Sequence, residues 1–440
     1  MRVLWVCNIM LPRVADYFHR ESSSREGWLT GLSEQVLSRQ EGKDITLGIC
    51  FPTLDEELLQ KRKAEIPLEN GRTLYAYAVK EDIHRAEVYD ASLEDDFADA
   101  ISDFQPDIVH CFGTEFPHTL AAVNAFHTPE KTLIGIQGLC AVYADSYQAN
   151  LPQKVWNRTT FRDFIKKDNL RKQREKYRAR GINEIRAIKH VGHITGRTVW
   201  DQCYAQEWNE NAEYHFMNET LRPIFYEGEW KYDACEKGSI FVSQGDYPIK
   251  GLHYLLLAMP EILEKHPETK VYVAGNSIIK TSLDKGINGI KGRIKLDSYG
   301  KYIRELIKKY RLEDKVVFVG NQSAEEMKQL YLHANVYVCP SAMENSPNSL
   351  GEAMLVGMPI VSAKVGGIPT IFKDRMDGLL YECDDIKSLA GCVCFMLDGG
   401  DVVDKMRRHA MEHARETHDG EKNFKRLLEI YHEIDARGNI

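Results

Sequence analysis

Two glutamates, Glu344 and Glu352, stand eight positions apart in the segment PSAMENSPNSLGEA and are the residues best suited to chemistry in this chain. The preceding run VYVCPS is apolar and β-branched, which favours a buried parallel strand. Ser346 is then predicted to cap a helix that has Pro347 at its first position and that ends at Gly357. This arrangement leaves Glu344 in the loop and places Glu352 about a turn and a half into the helix.

The start of this helix is also a candidate anion site. The backbone N–H groups of Asn348, Ser349 and Leu350 would point out of the helix N-terminus, where a phosphate is favoured. Glu352 can accept hydrogen bonds from the two hydroxyls of a ribose, and Glu344 can reach a sugar from the loop. These residue types predict a site for a nucleotide sugar, and the alternative is a pair of solvated surface glutamates.

The block around the two glutamates resembles the E-x7-E signature of retaining GT-B glycosyltransferases, glycosyltransferase family 4. Upstream, FVSQGDYPIKGL resembles the segment in which a lysine, here Lys250, holds the donor diphosphate. The segment VVFVGNQSAEEMKQLYLHANVYVCPS, which contains Gly320, is similar to the strand and helix of the base pocket. The resemblance implies a nucleotide-sugar donor, a UDP-sugar by default, and an acceptor that is a glycan or is lipid-linked.

One position departs from the family pattern. The family usually has an arginine five residues before the lysine, but this chain has Gly245. Either a second cation comes from elsewhere, or the phosphate clamp is weaker, or the chemistry has been lost. Arg197, in HITGRT, is the candidate replacement because its forked guanidinium suits phosphate, and a surface ion pair is the alternative.

The alternation of short strands with longer amphipathic helices predicts a doubly wound α/β fold. The resemblance implies a GT-B architecture of two Rossmann-like parallel-sheet domains facing a cleft, with the site at the carboxyl ends of the strands. We expect an acceptor-binding domain over 1–225, a donor-binding domain over 226–414 and a C-terminal helix over 415–440 that crosses back, with 211–237 containing the linker. Strands are predicted at 3–7, 45–50, 73–79, 108–111, 132–137, 188–194, 239–243, 270–274, 316–319, 336–339 and 360–363.

The first half of the chain carries the candidates for the acceptor side. Gly27 leaves room for a ligand to approach the backbone, or is an ordinary turn glycine. Glu115 and His118 in CFGTEFPHTL follow a buried strand and are titratable, with a structural histidine as the alternative for His118. Related enzymes often carry a histidine where Gln137 stands, and an amide can hydrogen-bond a sugar but cannot act as an acid or base.

Charge and cysteine usage narrow the functional classes. The net charge of −8 and the pI of about 6.0 argue against nucleic acid as the main partner. The ten cysteines include no C-x-x-C pair, which favours a reducing cytoplasm over a disulfide framework. The N-terminal run RVLWVCNIMLP is predicted to be a first strand rather than a signal peptide, and no apolar run approaches the ~18 residues of a membrane span.

No metal and no cofactor is predicted beyond the nucleotide-sugar co-substrate. Aspartates separated by a single residue, which hold a divalent cation on the diphosphate in transferases of another fold, do not occur in this chain. There is also no G-x-G-x-x-G and no Walker A loop, so dehydrogenase and ATPase functions lack their usual support.

The basic stretch 162–189 holds eleven Lys or Arg against four acidic residues. Such a run can lie on an anionic membrane and bring an enzyme to a lipid-linked acceptor, or it can be a solvated helix face. We therefore expect a cytoplasmic protein, and peripheral contact with the inner face of the membrane stays open.

The resemblance implies a front-face retaining transfer without a metal. In it the leaving diphosphate helps to deprotonate the acceptor hydroxyl, Lys250 neutralises the departing phosphate, and Glu344 holds the donor sugar. Two other interpretations stay open: a sugar-nucleotide-binding partner without transferase activity, which Gly245 suggests, and another GT-B enzyme such as an epimerase or a phosphorylase. The sequence does not name the sugar, the base, the acceptor or the oligomeric state.

Overall fold

The structure is a computed structural model that describes residues 1–21, 27–275, 279–284 and 286–437. Its contacts divide the chain into two compact units. The first unit comprises Met1–Val142, Lys176–Arg222 and His418–Ile440, and the second comprises Tyr143–Glu175 and Pro223–Thr417. The division differs from the predicted boundaries because Tyr143–Glu175 group with the second unit, whereas the sequence placed all of 1–225 in the first.

The strands and helices alternate along both units. In chain order the strands are β1 (Arg2–Val6), β2 (Thr46–Thr53), β3 (Lys63–Pro67), β4 (Thr73–Lys80), β5 (Ile108–Phe112), β6 (Thr132–Gly135), β7 (His193–Gly196), β8 (Glu213–Phe216), β9 (Glu236–Val242), β10 (Lys270–Ala274), β11 (Val316–Gly320), β12 (Ala334–Cys339), β13 (Ile360–Ala363) and β14 (Leu379–Tyr381). The helices are α1 (Pro12–Tyr17), α2 (Gly27–Ser38), α3 (Glu56–Lys61), α4 (Ser92–Phe104), α5 (Pro117–Phe126), α6 (Cys140–Ser146), α7 (Gln153–Trp156), α8 (Phe161–Lys166), α9 (Leu170–Ile188), α10 (Val199–Trp208), α11 (Leu252–Lys265), α12 (Ile279–Leu283), α13 (Gly286–Ile294), α14 (Ser298–Lys309), α15 (Ala324–His333), α16 (Asn348–Leu355), α17 (Ile368–Ile371), α18 (Ile386–Asp398), α19 (Asp401–Thr417) and α20 (Gly420–Arg437).

The first unit is built on an eight-stranded sheet of order β3-β4-β2-β1-β5-β6-β7-β8, parallel except for β3. Strand β1 is apolar on both faces and almost fully buried, as expected for a central parallel strand with helices on both sides. Helix α20 contributes Phe424, Leu427 and Tyr431 to the same hydrophobic core as Trp5. The Trp5 indole N–H donates to the Tyr431 hydroxyl at 2.8 Å, which fixes the helix against the sheet.

The second unit is built on a six-stranded parallel sheet of order β11-β10-β9-β12-β13-β14. The chain moves outward from β9 in one direction and from β12 in the other, so the strand order reverses between these two strands. In open α/β sheets, ligands bind at the carboxyl ends of the strands beside such a switch point. The loops that follow β9 and β12 are therefore the first place to look for a site.

Two sequence predictions fail at the edge of the first sheet. The predicted strand at 188–194 is wrong in its first part, because Ile188 ends helix α9 and the strand begins at His193. A short apolar run before a strand is compatible with either a helix or a strand. Here Ala187 and Ile188 belong to the buried face of the helix. The predicted linker at 211–237 contains strand β8, which completes the sheet.

None of the helices in the described ranges combines the length and the apolar character needed to cross a bilayer.

Candidate active site

Lys250 and Glu344 are in contact in the second unit. Lys250 lies in the loop after β9 and Glu344 in the loop after β12, the two strands of the switch point. The Lys250 Nζ donates to Glu344 Oε1 at 2.7 Å, and the Ser341 hydroxyl donates to the same oxygen at 2.7 Å. Burial opposes the charge of Lys250, but the Glu344 carboxylate outweighs it and holds the pKa of the lysine well above its usual value. An ammonium group has three N–H donors, so Lys250 retains donors for a second partner. Within the described residues Glu344 Oε2 accepts no hydrogen bond.

Two glycines fix the backbone around this pair. Gly251 has a φ of +69°, and a Cβ there would lie 1.8 Å from the Pro340 carbonyl oxygen. Gly366 has a φ of +51°, and a Cβ there would lie 1.9 Å from the Glu344 carbonyl oxygen. Both positions therefore require glycine, because a side chain would meet strain as well as a clash with backbone. The loop that carries Glu344 therefore packs against Lys250 and Gly251 on one side and against residues 365–367 on the other.

Gly245 is packed too closely for a larger residue to be accommodated without movement. A Cβ there would lie 2.8 Å from Leu252 Cδ2 and 2.9 Å from Val273 Cγ1. A larger residue at this position, such as the family's usual arginine, would require the Leu252 and Val273 side chains to shift.

Helix α16 begins one residue later than the sequence predicts. Ser346 is not its N-cap: Pro347 is, without a side-chain hydrogen bond, and the buried Ser346 Oγ has no hydrogen-bond partner in the described part of the chain. The Leu350 N–H is not free either, since it donates to the Pro347 carbonyl at 2.9 Å. The N–H groups of Asn348 and Ser349 find no acceptor among the described residues. Two N–H groups and one hydroxyl are left for an anion.

Glu352 lies buried in the second turn of α16. The Tyr331 hydroxyl is 3.3 Å from Glu352 Oε2 and 3.0 Å from the Ser349 carbonyl oxygen. The Tyr337 hydroxyl bonds the Ser349 Oγ at 2.9 Å. The Tyr331 hydroxyl of helix α15 thus contacts this carboxylate, and the Tyr337 hydroxyl of strand β12 holds the Ser349 side chain at the helix start.

Gly320 ends strand β11 at the same edge of the sheet. Its φ is +87°, and a Cβ there would meet no atom within 4 Å, so the space beside it is open. Its carbonyl accepts from the Gly275 N–H at 3.0 Å. The carboxyl ends of β10 and β11 therefore border an open region on the side of the sheet where Lys250 follows β9.

A second cluster lies in the first unit and joins Gln137, Arg197 and Glu219. Arg197 forms an ion pair with Glu219, and its other terminal nitrogen donates to Gln137 Oε1 at 3.1 Å. The Gln137 Nε2 donates to Glu219 Oε1 at 2.6 Å. The prediction that Arg197 offers a spare charge to a phosphate is weakened, because a buried carboxylate already pairs with that charge.

These three side chains line a small pocket whose walls also contain unpartnered polar atoms. The buried atoms His110 Nε2, Thr195 Oγ1 and Arg197 Nε have no hydrogen-bond partner in the described ranges. Burial lowers the pKa of His110 to about 3, so its ring is neutral at ordinary pH. The remaining wall is largely apolar, with Trp28 and Phe112. Buried polar atoms normally have partners, so this pocket is suited to a polar, uncharged ligand or to water.

The other predicted acceptor residues do not line this pocket. Glu115 Oε1 accepts from the Gly138 N–H at 3.0 Å, and His118 Nδ1 lies 2.6 Å from Glu81 Oε2 in a fully buried pair. His118 therefore has the structural environment that the sequence left open as an alternative. Gly27 starts helix α2, where a Cβ would lie 2.6 Å from the Arg222 side chain.

Sequence reasoning missed Ser341, Tyr331, Glu219 and His110. Ser341 lies three residues before Glu344, and a hydroxyl so close in sequence could have been noted as a partner. Glu219 follows β8 in the segment assigned to a linker, and Tyr331 and His110 lie on elements distant in sequence from the residues they serve. Their roles become visible only when the sheet brings the elements together.

Comparison with known proteins finds a family model that matches most of the second unit. The family described as Glycosyl transferases group 1 matches residues 230–417. An uncharacterised glycosyltransferase of Methanocaldococcus jannaschii is 28% identical over 44% of this chain and 45% of its own length. A D-inositol 3-phosphate glycosyltransferase of Corynebacterium urealyticum is 26% identical over 42% of this chain and 41% of its own length. The chain thus spans about half the length of the curated relatives it matches.

Solved structures are similar over nearly the whole chain. Sucrose-phosphate synthase from Thermosynechococcus elongatus superposes with a TM-score of 0.68 at 15% identity, covering 99% of this chain and 100% of that one. Anabaena HepE, solved in complex with UDP-glucose, gives a TM-score of 0.63 at 12% identity, covering 98% and 100%. The predicted fold class, α/β with two parallel sheets as in GT-B glycosyltransferases, is confirmed. Residues 230–417 thus match the family described as Glycosyl transferases group 1.

Proposed function

We propose that the protein is a retaining glycosyltransferase that takes its sugar from a nucleoside diphosphate donor, with UDP as the first candidate nucleotide. The observation that carries the proposal is the pairing of Lys250 with Glu344 beside the open N-terminus of α16. A cation, two N–H groups and a hydroxyl suit the charge of a diphosphate, and a carboxylate with one open oxygen suits the hydroxyls of a sugar. The choice of UDP rests on relatives such as HepE, whose structure contains UDP-glucose.

Each of the candidate site residues in the second unit has a distinct part in the proposed transfer. Negative charge grows on the diphosphate as the bond to the sugar breaks, and the Lys250 ammonium and the α16 N-terminus stabilise it where it develops. Glu344 Oε2 accepts from the donor sugar, while Oε1 stays on Ser341 and Lys250. Glu352 accepts from the ribose. The departing phosphate lies on the same face of the sugar as the acceptor hydroxyl and takes the proton of that hydroxyl. The acceptor oxygen bonds the anomeric carbon directly, so no side chain has to act as covalent nucleophile.

The diphosphate is proposed to be held without a divalent cation. The lysine charge and the helix N-terminus supply positive potential at the place where a metal would otherwise act. No organic cofactor is invoked, because group transfer from an activated donor requires no redox step.

The pocket of Gln137, Arg197 and Glu219 is proposed to bind the acceptor. Its charges cancel within the cluster, and the unpartnered atoms of His110 and Thr195 can bond hydroxyl groups. An apolar wall with a few polar atoms is the usual lining of a sugar-binding pocket. The cavity has a volume of about 10 Å³, which is room for about one water, so it would take a single hydroxyl of a glycan or lipid-linked acceptor whose sugar lies outside it.

Contact with an anionic membrane surface is proposed for helix α8. Its side chains Phe161, Phe164 and Ile165 are exposed by 64%, 72% and 60%. Lys166 and Lys167 are exposed beside them and form no ion pair within the described residues. Exposed aromatic side chains beside cations are typical of segments that bind at a lipid interface.

A binding partner without transferase activity is the second candidate, favoured by Gly245, which stands where the family usually has an arginine. The first test is a thermal-shift series with UDP, GDP, ADP, CMP and dTDP. A ligand that binds only the folded state raises the unfolding temperature, so a selective rise with one diphosphate supports the donor site. No shift with any nucleotide would contradict the proposed function.

A further inference from the structure

Three side chains with ligand chemistry meet at the edge of the first sheet. His193 and Glu213 are the first residues of β7 and β8 and lie opposite each other in the register, and His215 is two residues further on β8. Residues two apart on a strand share a face, so Glu213 and His215 both project toward the side of His193. One ligand atom from each of the three residues lies within 4.8 Å of the others.

The distances within this cluster bracket those of a metal centre. His193 Nδ1 lies 2.9 Å from His215 Nε2 and 3.8 Å from Glu213 Oε2. Tetrahedral zinc with bonds of about 2.0–2.1 Å places its ligand atoms about 3.3 Å apart. The cluster reaches this spacing if the two histidines separate slightly and the carboxylate closes by about half an ångström, which lies within the range of side-chain motion.

A second carboxylate is placed to orient one of the histidines. His215 Nδ1 lies 3.4 Å from Glu433 Oε2 of helix α20, on the opposite side of the ring from His193. Metal-bound histidines commonly direct their other ring nitrogen to a carboxylate, which fixes the tautomer that leaves the ligating nitrogen unprotonated. Both histidines are buried, whereas the Glu213 side chain is 36% exposed, so a cation can enter from solvent.

We propose that His193, Glu213 and His215 bind zinc, with water as the fourth ligand. Imidazole and carboxylate ligands suit zinc, and the expectation of a chain without a metal would then hold only for the donor site. The ion would join the edge strand β8 to β7, and through Glu433 to α20. None of the three residues takes part in the proposed sugar transfer. The competing state is a neutral hydrogen bond between the two rings.

The test uses the full chain, stripped with a chelator and dialysed against Zn²⁺. We expect about one equivalent of zinc, removed by His215→Gln, and a higher unfolding temperature with zinc than without. Glu213→Gln, at a partly exposed position where the fold is less at risk, should weaken zinc affinity by at least the ten- to hundredfold that loss of an outer-shell partner typically costs. His190→Gln, at an exposed histidine of the same unit, is the matched control and should bind zinc like the unaltered chain.

If the unaltered chain binds no zinc, the proposal is overturned, and the two histidines are simply hydrogen-bonded to each other. Equal zinc affinity in the unaltered chain and in Glu213→Gln and His215→Gln would also overturn it, because the ion would then bind elsewhere.

Discussion

Glu344 is the side chain on which the proposed transfer depends most. Its Oε1 accepts from Lys250 and Ser341, and its Oε2 accepts no hydrogen bond from the part of the chain that the structure describes. We predict that Glu344→Gln lowers the transfer rate by about a hundredfold or more, since an amide lacks the charge that stabilises a developing cation. Nucleotide affinity should change little, because the amide oxygen can still accept from Lys250. Alanine is the poorer choice, since it leaves a partly buried lysine without its partner.

The control for this variant is Glu382→Gln, an exposed glutamate of the same unit that pairs with Lys364. Initial rates of sugar transfer, with nucleotide affinity from calorimetry, provide the measurement. Activity of Glu344→Gln within tenfold of the unaltered chain would show that the assigned role is incorrect.

Glu352 should determine affinity rather than chemistry. We predict that Glu352→Ala weakens binding of the free nucleoside diphosphate by about tenfold, equivalent to about 1.4 kcal/mol, because the bonds to the ribose hydroxyls are lost. Glu325→Ala, at an exposed glutamate in the first turn of helix α15, is the matched control and should leave nucleotide affinity unchanged. Titration calorimetry distinguishes the two variants, and unchanged affinity of Glu352→Ala would rule out the ribose assignment.

The sequence predicts the residues of the proposed donor site better than it predicts their hydrogen bonds. Motif spacing predicts Lys250, Glu344 and Glu352 as candidates, and the structure places Lys250 and Glu344 in contact. The failures concern hydrogen bonds of the local backbone: the Pro347 carbonyl takes the Leu350 N–H, and Ser346 does not cap. Such choices depend on the turn geometry of a single loop, which residue type does not determine.

At the scale of elements, Asp377 fastens helix α19 to the loop that follows α17. The buried carboxylate lies 2.6 Å from His409 Nδ1 and 2.8 Å from His413 Nδ1, and it accepts the Lys373 N–H at 2.7 Å. Burial raises the pKa of Asp377, but hydrogen bonds from His413, the Lys373 N–H and His409 outweigh it, so the net pKa is lowered. The carboxylate is therefore more stable in the folded chain than in the unfolded one.

We predict that Asp377→Asn lowers the free energy of unfolding by about 1–3 kcal/mol at pH 7. Because the folded pKa is lowered, this contribution is present above the unfolded pKa of about 3.9 and is lost as the pH falls through the folded pKa. Urea unfolding at pH 7 and at acid pH measures the difference, with the exposed Asp384→Asn as control. A difference that persists unchanged at acid pH would contradict this explanation.

Most elements are predictable because strand and helix periodicities are strong in buried parallel sheets. The strands at Lys270–Ala274 and Ile360–Ala363 have the predicted bounds. The short strands β3, β8 and β14 at the sheet edges are not predictable in this way, since edge pairing depends on a neighbouring strand and needs little apolar sequence. The proposed zinc site takes two of its three residues from β8, so they could not be grouped with His193 from spacing alone.

For the whole molecule, a net charge of −8 coexists with the cationic and aromatic surface of α8. We predict that the full chain binds vesicles containing anionic lipid, less so at high salt, and does not bind neutral vesicles. Phe164→Ser should weaken the binding by about tenfold or more, because one buried aromatic side chain contributes roughly 1.5–3 kcal/mol.

The control for vesicle binding is Val402→Ser on α19, an exposed apolar residue outside α8. Co-sedimentation measures the bound fraction. Equal binding by both variants, or none by the unaltered chain, would remove the membrane proposal without affecting the donor site.

The grouping of Tyr143–Glu175 with the second unit could not be foreseen, because the assignment depends on side chains such as His253, whose Nε2 lies 2.9 Å from the Ala149 carbonyl oxygen. Nothing in the local sequence of 143–175 marks such a partner. Chain order alone suggested a continuous first domain.

Donor turnover tests the central proposal most directly. The full chain is incubated with a panel of nucleoside diphosphate sugars, and the release of nucleoside diphosphate and the anomer of the freed or transferred sugar are followed by proton NMR. We predict turnover of one donor with the anomeric configuration retained, and its loss in Glu344→Gln and Lys250→Met. Inversion of the anomer, equal turnover in the variants, or nucleotide binding without any turnover would contradict a retaining glycosyltransferase.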